Sequence, residues 1–107
     1  MKILALGDTV GEPGRKIIAS LVPQIREEEG IDFVVVNGEN VAGGSGLTPQ
    51  TSRELFHAGV DCITSGDHIW DKKEIIEVID SAKRILRPLN YPNGIPGRGA
   101  VILETLQ

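Results

Sequence analysis

The sequence predicts an α/β fold, a parallel β-sheet with helices on both faces, and three observations predict it. Short apolar runs alternate with helix-spaced segments in the order β-α-β-α-β-α-β-loop-β, the pattern of strands joined by right-handed crossovers. The runs Ile3-Leu4-Ala5, Phe33-Val34-Val35-Val36 and Cys62-Ile63-Thr64 are almost wholly apolar, as strands covered on two faces are. Each run then meets a glycine followed by an acid: Gly7-Asp8, Gly38-Glu39 and Gly66-Asp67.

Residues 2–7 read as the first strand, with Lys2 the only charge before Asp8. Gly11 and Gly14 mark a turn in which Pro13 opens a helix. Ile17, Ile18, Leu21, Val22 and Ile25 keep helical spacing to the stop at Gly30, and Pro23 inside the run should kink or split the helix. Residues 32–37 form the second strand, and Gly38 to Leu47 an irregular loop. Thr48 caps and Pro49 opens a second helix carrying Leu55, Phe56 and Ala58 and ending at Gly59. A third strand covers 60–65 and a third helix roughly 71–81, with Ile75, Ile76, Val78 and Ile79 as its apolar positions. Residues 84–87 read as a short fourth strand, Leu89 to Arg98 as a proline-rich turn, and 99–105 as a fifth strand. Ending on a strand suggests a larger domain that has been cut or one that a partner completes.

At 107 residues the chain holds one domain, spanning 1–107. Its charged fraction of 24% and apolar fraction of 40% are those of a soluble globular protein. A net charge of -4 leaves no basic face for coating nucleic acid, so duplex nucleic acid is not an expected partner. One cysteine, Cys62, allows no disulfide framework and points to a reducing cytoplasm. The amino terminus lacks a signal-peptide layout, no run is long enough to span a membrane, and no membrane partner is expected.

The three acids carry the functional reading. Parallel strands lie ~4.8 Å apart, so acids one step past their carboxyl ends converge where open α/β sheets bind ligands. Three carboxylates with no Lys or Arg beside them repel one another, and a divalent cation relieves the repulsion. Asp8 taken alone also suits a turn or helix cap. Glu39 is a poor turn residue between Gly38 and Asn40, and a carboxylate bridging two cations explains it better. Asn40 either stabilises the loop or offers its carbonyl to a hard metal. Asp67 and His68 pair a ligand with a group suited to protonating a leaving oxygen near neutral pH. His57 reads as surface and Trp70 as packing. The glycines at 43, 44 and 46 fit neither Gly-x-x-x-x-Gly-Lys-Ser/Thr nor Gly-x-Gly-x-x-Gly, and suit a flexible rim whose amides meet an anion. Lys72, Arg87 and Arg98 are available for phosphate charge.

Four motifs together resemble a known family: Gly7-Asp8-x-x-Gly-x-Pro-Gly, Asn37-Gly38-Glu39-Asn40-x-Ala-x-Gly-x-Gly-Leu, Gly66-Asp67-His68-x-Trp-Asp-Lys-Lys-Glu and Arg87-Pro88-x-Asn90-x-Pro92-x-Gly94-x-Pro96-Gly97. They are similar to the bacterial YmdB-like metallophosphoesterases of the calcineurin-like superfamily, along essentially the whole chain. The resemblance implies the amino-terminal part of a metallophosphoesterase domain, half of that fold's sandwich. It implies two divalent ions, Fe or Mn first and Mg or Zn as alternatives. It also implies hydrolysis of phosphodiesters such as 2′,3′-cyclic nucleotides by a metal-activated hydroxide. Asp8 and Asp67 would each ligate one ion, Glu39 would bridge, Asn40 would assist and His68 would donate the proton. Two departures stand out. Asp67 replaces the family's usual asparagine, adding a charge that tightens a cation and weakens attraction for phosphate. Family members are also more than twice as long, and their second half supplies a histidine and a His-x-His pair that His57 and His68 cannot replace.

A second reading is a truncated, non-catalytic module that binds a cation or phosphate and self-associates as a homo-oligomer through uncovered apolar surface. A third is a fragment retained for its fold alone. A flavodoxin-like receiver domain also gathers acids at strand ends. It needs an acid pair after the first strand and a late lysine, and neither pattern stands out here.

Overall fold

A computed structural model describes residues 1–105. Strand β1 (Ile3–Val10) leads into α1 (Gly11–Glu29), β2 (Phe33–Asn40), α2 (Pro49–His57) and β3 (Cys62–Thr64), followed by 3-10 turns at Asp67–Trp70 and Lys73–Glu77. The strands are parallel in the order β1-β2-β3, so the α/β class and the parallel sheet are those the sequence predicts.

Among the described residues both α-helices lie on one face of the sheet, not one on each. Helices α1 and α2 pack against each other over the sheet face that carries Val34, Val36 and Ile63. Strand order is the reason. Strands added in one direction by crossovers of one hand put every connecting helix on one face, and covering both faces requires the order to reverse. The other face presents Phe33, Val35 and Cys62 to residues 101–103 across a groove of about 460 Å³.

The core lies between the sheet and the helices. Val34, Val36, Leu47, Ile63, Ile69, Ile75 and Ile79 are wholly inaccessible to solvent. Helix α1 contributes Ile18 and Val22, while Ile17 and Leu21, on the expected apolar stripe, are exposed. Pro23 neither splits nor ends α1, which runs unbroken to a left-handed Gly30 (φ 63°). The ring removes the bond to the Ala19 carbonyl, and both residues are exposed, so water replaces that bond cheaply. Helix α2 begins as the sequence requires. The Thr48 hydroxyl accepts from the Thr51 amide at 3.0 Å, Thr51 reciprocates to the Thr48 amide, and Pro49 follows.

Three expected elements shrink. The helix at 71–81 is a 3-10 turn at Lys73–Glu77, because Ile75, Ile76, Val78 and Ile79 are β-branched and resist helical rotamers. Burial of Ile75 and Ile79 holds that turn down. The strand at 84–87 reduces to bridges, Ile63 to Ile85 and Leu86 to Arg98. Residues 99–105 form no ladder and instead lie along the open sheet face.

Gly38 sits where β2 meets the core, and a Cβ there would come within 2.7 Å of Ile63 Cγ2. Gly38→Ala is therefore expected to destabilise the fold by about 1–3 kcal/mol through overpacking. Urea unfolding checks this through a lower midpoint at unchanged slope. A loss under about 0.5 kcal/mol, the range of surface substitutions, would mean that Ile63 simply moves aside.

Candidate metal centre

Two irregularities in the β1–β2 ladder aim the site. Leu6 pairs with Val36 but Asp8 with Asn37, so Gly7 is an extra residue, and a second shift follows before Val10 pairs with Asn40. Such bulges re-aim side chains at a sheet rim. Here they bring Asp8 and Asn40 together. The Asn40 Nδ2 amide donates to Asp8 Oδ1 at 2.9 Å and Oδ2 at 3.1 Å.

That contact orients the next one. An ionised carboxylate only accepts, so the Asn40 amide nitrogen faces Asp8 and its Oδ1 faces His68 Nδ1 at 2.6 Å. His68 therefore carries a proton on Nδ1 and leaves Nε2 free to serve the site. Its side chain is 46% exposed.

Glu39 is the most constrained member. Its amide donates to Asn37 Oδ1 at 3.2 Å, its carbonyl accepts from the Gly46 amide at 2.5 Å, and its carboxylate accepts from the His68 amide at 3.3 Å. Its side chain is only 17% exposed. The first turn after β3 brings Asp67 and His68 over it. Ligand atoms of Glu39, Asp67 and His68 all lie within 4.8 Å of one another.

The structure thus gathers Asp8, Glu39, Asn40, Asp67 and His68 on one rim. Among the described residues no Lys or Arg pairs with these acids; the Lys and Arg ion pairs are Arg15–Glu54, Lys16–Glu12 and Arg26–Asp61. Carboxylate, amide oxygen and imidazole donors suit hard and borderline divalent ions. Cys62 lies outside the cluster, and burial pushes its thiol pKa up, which keeps it a core residue. The donor set fits a divalent cation.

The other candidates lie elsewhere. His57 is exposed beside Arg15 and Glu54 at the junction of α1 and α2. Trp70 is partly buried and stacked on Tyr91 with ring centroids 6.5 Å apart, a packing role. Arg98 donates to the Asp80 carbonyl at 2.9 Å, and Lys72 lies under Gly46. Arg87 donates to the Pro88 carbonyl at 3.0 Å, while its buried Nε has no partner among the described residues. The glycine-rich loop is a closed turn, pinned by fully buried Val41 and Leu47 and by the Ser45 hydroxyl on Asp71.

Sequence reasoning missed Asn37 and Gly66. Asn37 carries a signal, because an Asx side chain two residues before an amide is a familiar turn device. Gly66 reads in sequence only as a turn residue.

Residues 4–107 match the family described as YmdB-like protein. The chain is 46% identical over 104 residues to the 2′,3′-cyclic-nucleotide 2′-phosphodiesterase of Bacillus subtilis, covering 97% of this chain and 39% of that protein. A crystal structure of a hypothetical protein from Thermus thermophilus superposes with a TM-score of 0.90 at 42% identity, covering 97% of this chain and 40% of the other. The crystal structure of a novel phosphatase from Mycoplasma pneumoniae gives 0.89 at 35% identity, covering 97% and 38%. The chain therefore spans about two fifths of the length of these relatives.

Asp67→Asn is expected to stabilise the metal-free chain by about 0.2–1 kcal/mol, the range of an exposed charge pair, because it removes one of the crowded carboxylates. Thermal melting in EDTA measures the change. A lower melting temperature would mean that Asp67 supports the fold.

Proposed function

The chain belongs to the YmdB-like protein family, and on that premise we propose that it is the amino-terminal portion of a metal-dependent phosphodiesterase. The observation that supports this most is the convergence of Glu39, Asp67 and His68 on one rim, with Asp8 tied in through Asn40. The substrate class is a small phosphodiester such as a 2′,3′-cyclic nucleotide, following the name of the Bacillus subtilis relative. The setting is the cytoplasm, where Cys62 stays a free thiol.

Asp8, Glu39, Asn40 and Asp67 would hold two divalent ions, Fe or Mn. Bound there, the ions supply Lewis-acid polarisation of the phosphoryl oxygens and activation of water. The remaining work falls to the chain. Asn40 keeps the imidazole of His68 turned, and His68 in its imidazolium form, with Nδ1–H held by Asn40, would give the proton on Nε2 to the leaving oxygen. Asp67, an added negative charge, strengthens the hold on a cation and weakens that on the anionic substrate.

The test is hydrolysis of bis(p-nitrophenyl) phosphate with Mn²⁺ or Fe²⁺. Metal-dependent turnover is expected to fall by about 10²–10⁴-fold in His68→Ala, the usual worth of a general acid, and to vanish in Asp8→Ala. Wild type no faster than either variant, in folded protein, would remove catalysis from this chain.

A second reading is favoured by a specific observation. Met1, Ile3 and Ile102, at the rim of the open-face groove, are 76%, 58% and 96% exposed. Apolar surface of this kind marks an interaction site, so the chain would be a cation-binding module that self-associates through that face. Sedimentation velocity should then show dimers or larger species that dissociate in Ile3→Glu/Ile102→Glu. A monomer at all concentrations would end this reading.

A further inference from the structure

Glu39 owes its position to residues that no ligand scheme includes. A Cβ on Gly66 would lie within 2.7 Å of Glu39 Oε2 and 2.8 Å of its Cδ, inside any real contact distance. Gly66 itself has a negative φ of -131° with ψ -151°, so no left-handed backbone demands glycine here. Glycine here serves space and not conformation. The carboxylate of β2 rests directly on the backbone that leads into Asp67-His68. Asn37 in turn holds the Glu39 amide through Oδ1 at 3.2 Å and places Nδ2 3.5 Å from Oε1.

We propose that Gly66 and Asn37 are positioning residues that hold the Glu39 carboxylate against Asp67 and His68 before any cation arrives. This rests on the reading of the rim as a cation site. Residues acting through a ligand in this way typically affect metal affinity by about 10- to 100-fold. Gly66→Ala adds a methyl group where the carboxylate lies. The side chain is flexible, so the expected result is a displaced Glu39 in an intact fold.

The experiment is calorimetric titration of Mn²⁺ into the metal-free chain and its variants. Gly66→Ala and Asn37→Ala should each bind about 10- to 100-fold more weakly, while melting in EDTA stays close to wild type. The decisive comparison uses Glu39→Ala. In that background the space beside residue 66 is empty, so adding Gly66→Ala should weaken binding no further. Losses that multiply, or a Gly66→Ala protein that binds as wild type, would overturn the proposal. Should Gly66→Ala fail to fold, Asn37→Ala carries the same test. A crystal structure of the metal-free Gly66→Ala chain separates the two levels of inference. A displaced carboxylate in a protein whose wild type ignores Mn²⁺ would sink the cation site alone, and an undisplaced one would sink the positioning role.

Discussion

The parallel ladder through β2 is the constraint on which the rest depends. Because β1, β2 and β3 run the same way, all amino ends meet at one rim and all carboxyl ends at the other. The two rims differ in charge. At the amino rim the backbone amide of Lys2 donates to Asp32 at 2.8 Å, and Asp61 accepts both from Arg26 at 2.6 Å and from the Val34 amide at 2.8 Å. Charges there are matched, and they tie the end of α1 to the starts of β2 and β3. The carboxyl rim instead collects Asp8, Glu39 and Asp67, none paired with Lys or Arg among the described residues. One end is built to hold the sheet together, and the other keeps like charges close.

The strand-glycine-acid phrase recurs three times, yet each glycine answers a different demand. Gly7 is the extra residue of a bulge, and a Cβ there would meet nothing within 4 Å. Its role is to shift Asp8 opposite Asn37. Gly38 lets Ile63 and Leu55 close over β2 from the helix side. Gly66 makes room for a carboxylate from another strand. A single sequence pattern therefore encodes a register shift, a core contact and a site wall.

The layering is one-sided. Both helices cover one sheet face, and residues 101–103 lie beside the other without forming a ladder. Relatives of the family carry more than twice this length of chain, as the 39% coverage of the Bacillus subtilis protein shows. The open face and the acidic rim belong to one sheet: the helices cover its other face, and its carboxyl ends gather Asp8, Glu39 and Asp67.

Much of this was legible in the sequence, because its causes are local. The apolar runs define three strands, Thr48-Pro49 caps α2, Gly30 ends α1, and the residues just past each strand name the rim. Other features were settled only by tertiary structure. Strand order is a choice between distant pairings, so periodicity cannot show that both helices share a face. Pro23 is harmless because its lost bond faces water, which depends on how α1 is seated. The segments at 84–87 and 99–105 have strand-like composition, but the first keeps only isolated bridges to Ile63 and Arg98 and the second pairs with no strand, which is a matter of distant partners. The contact between Gly66 and Glu39 joins two strands through space, and no spacing in the sequence records it. Local chemistry chose the residues of the rim, and the non-local register of the sheet decided which of them touch.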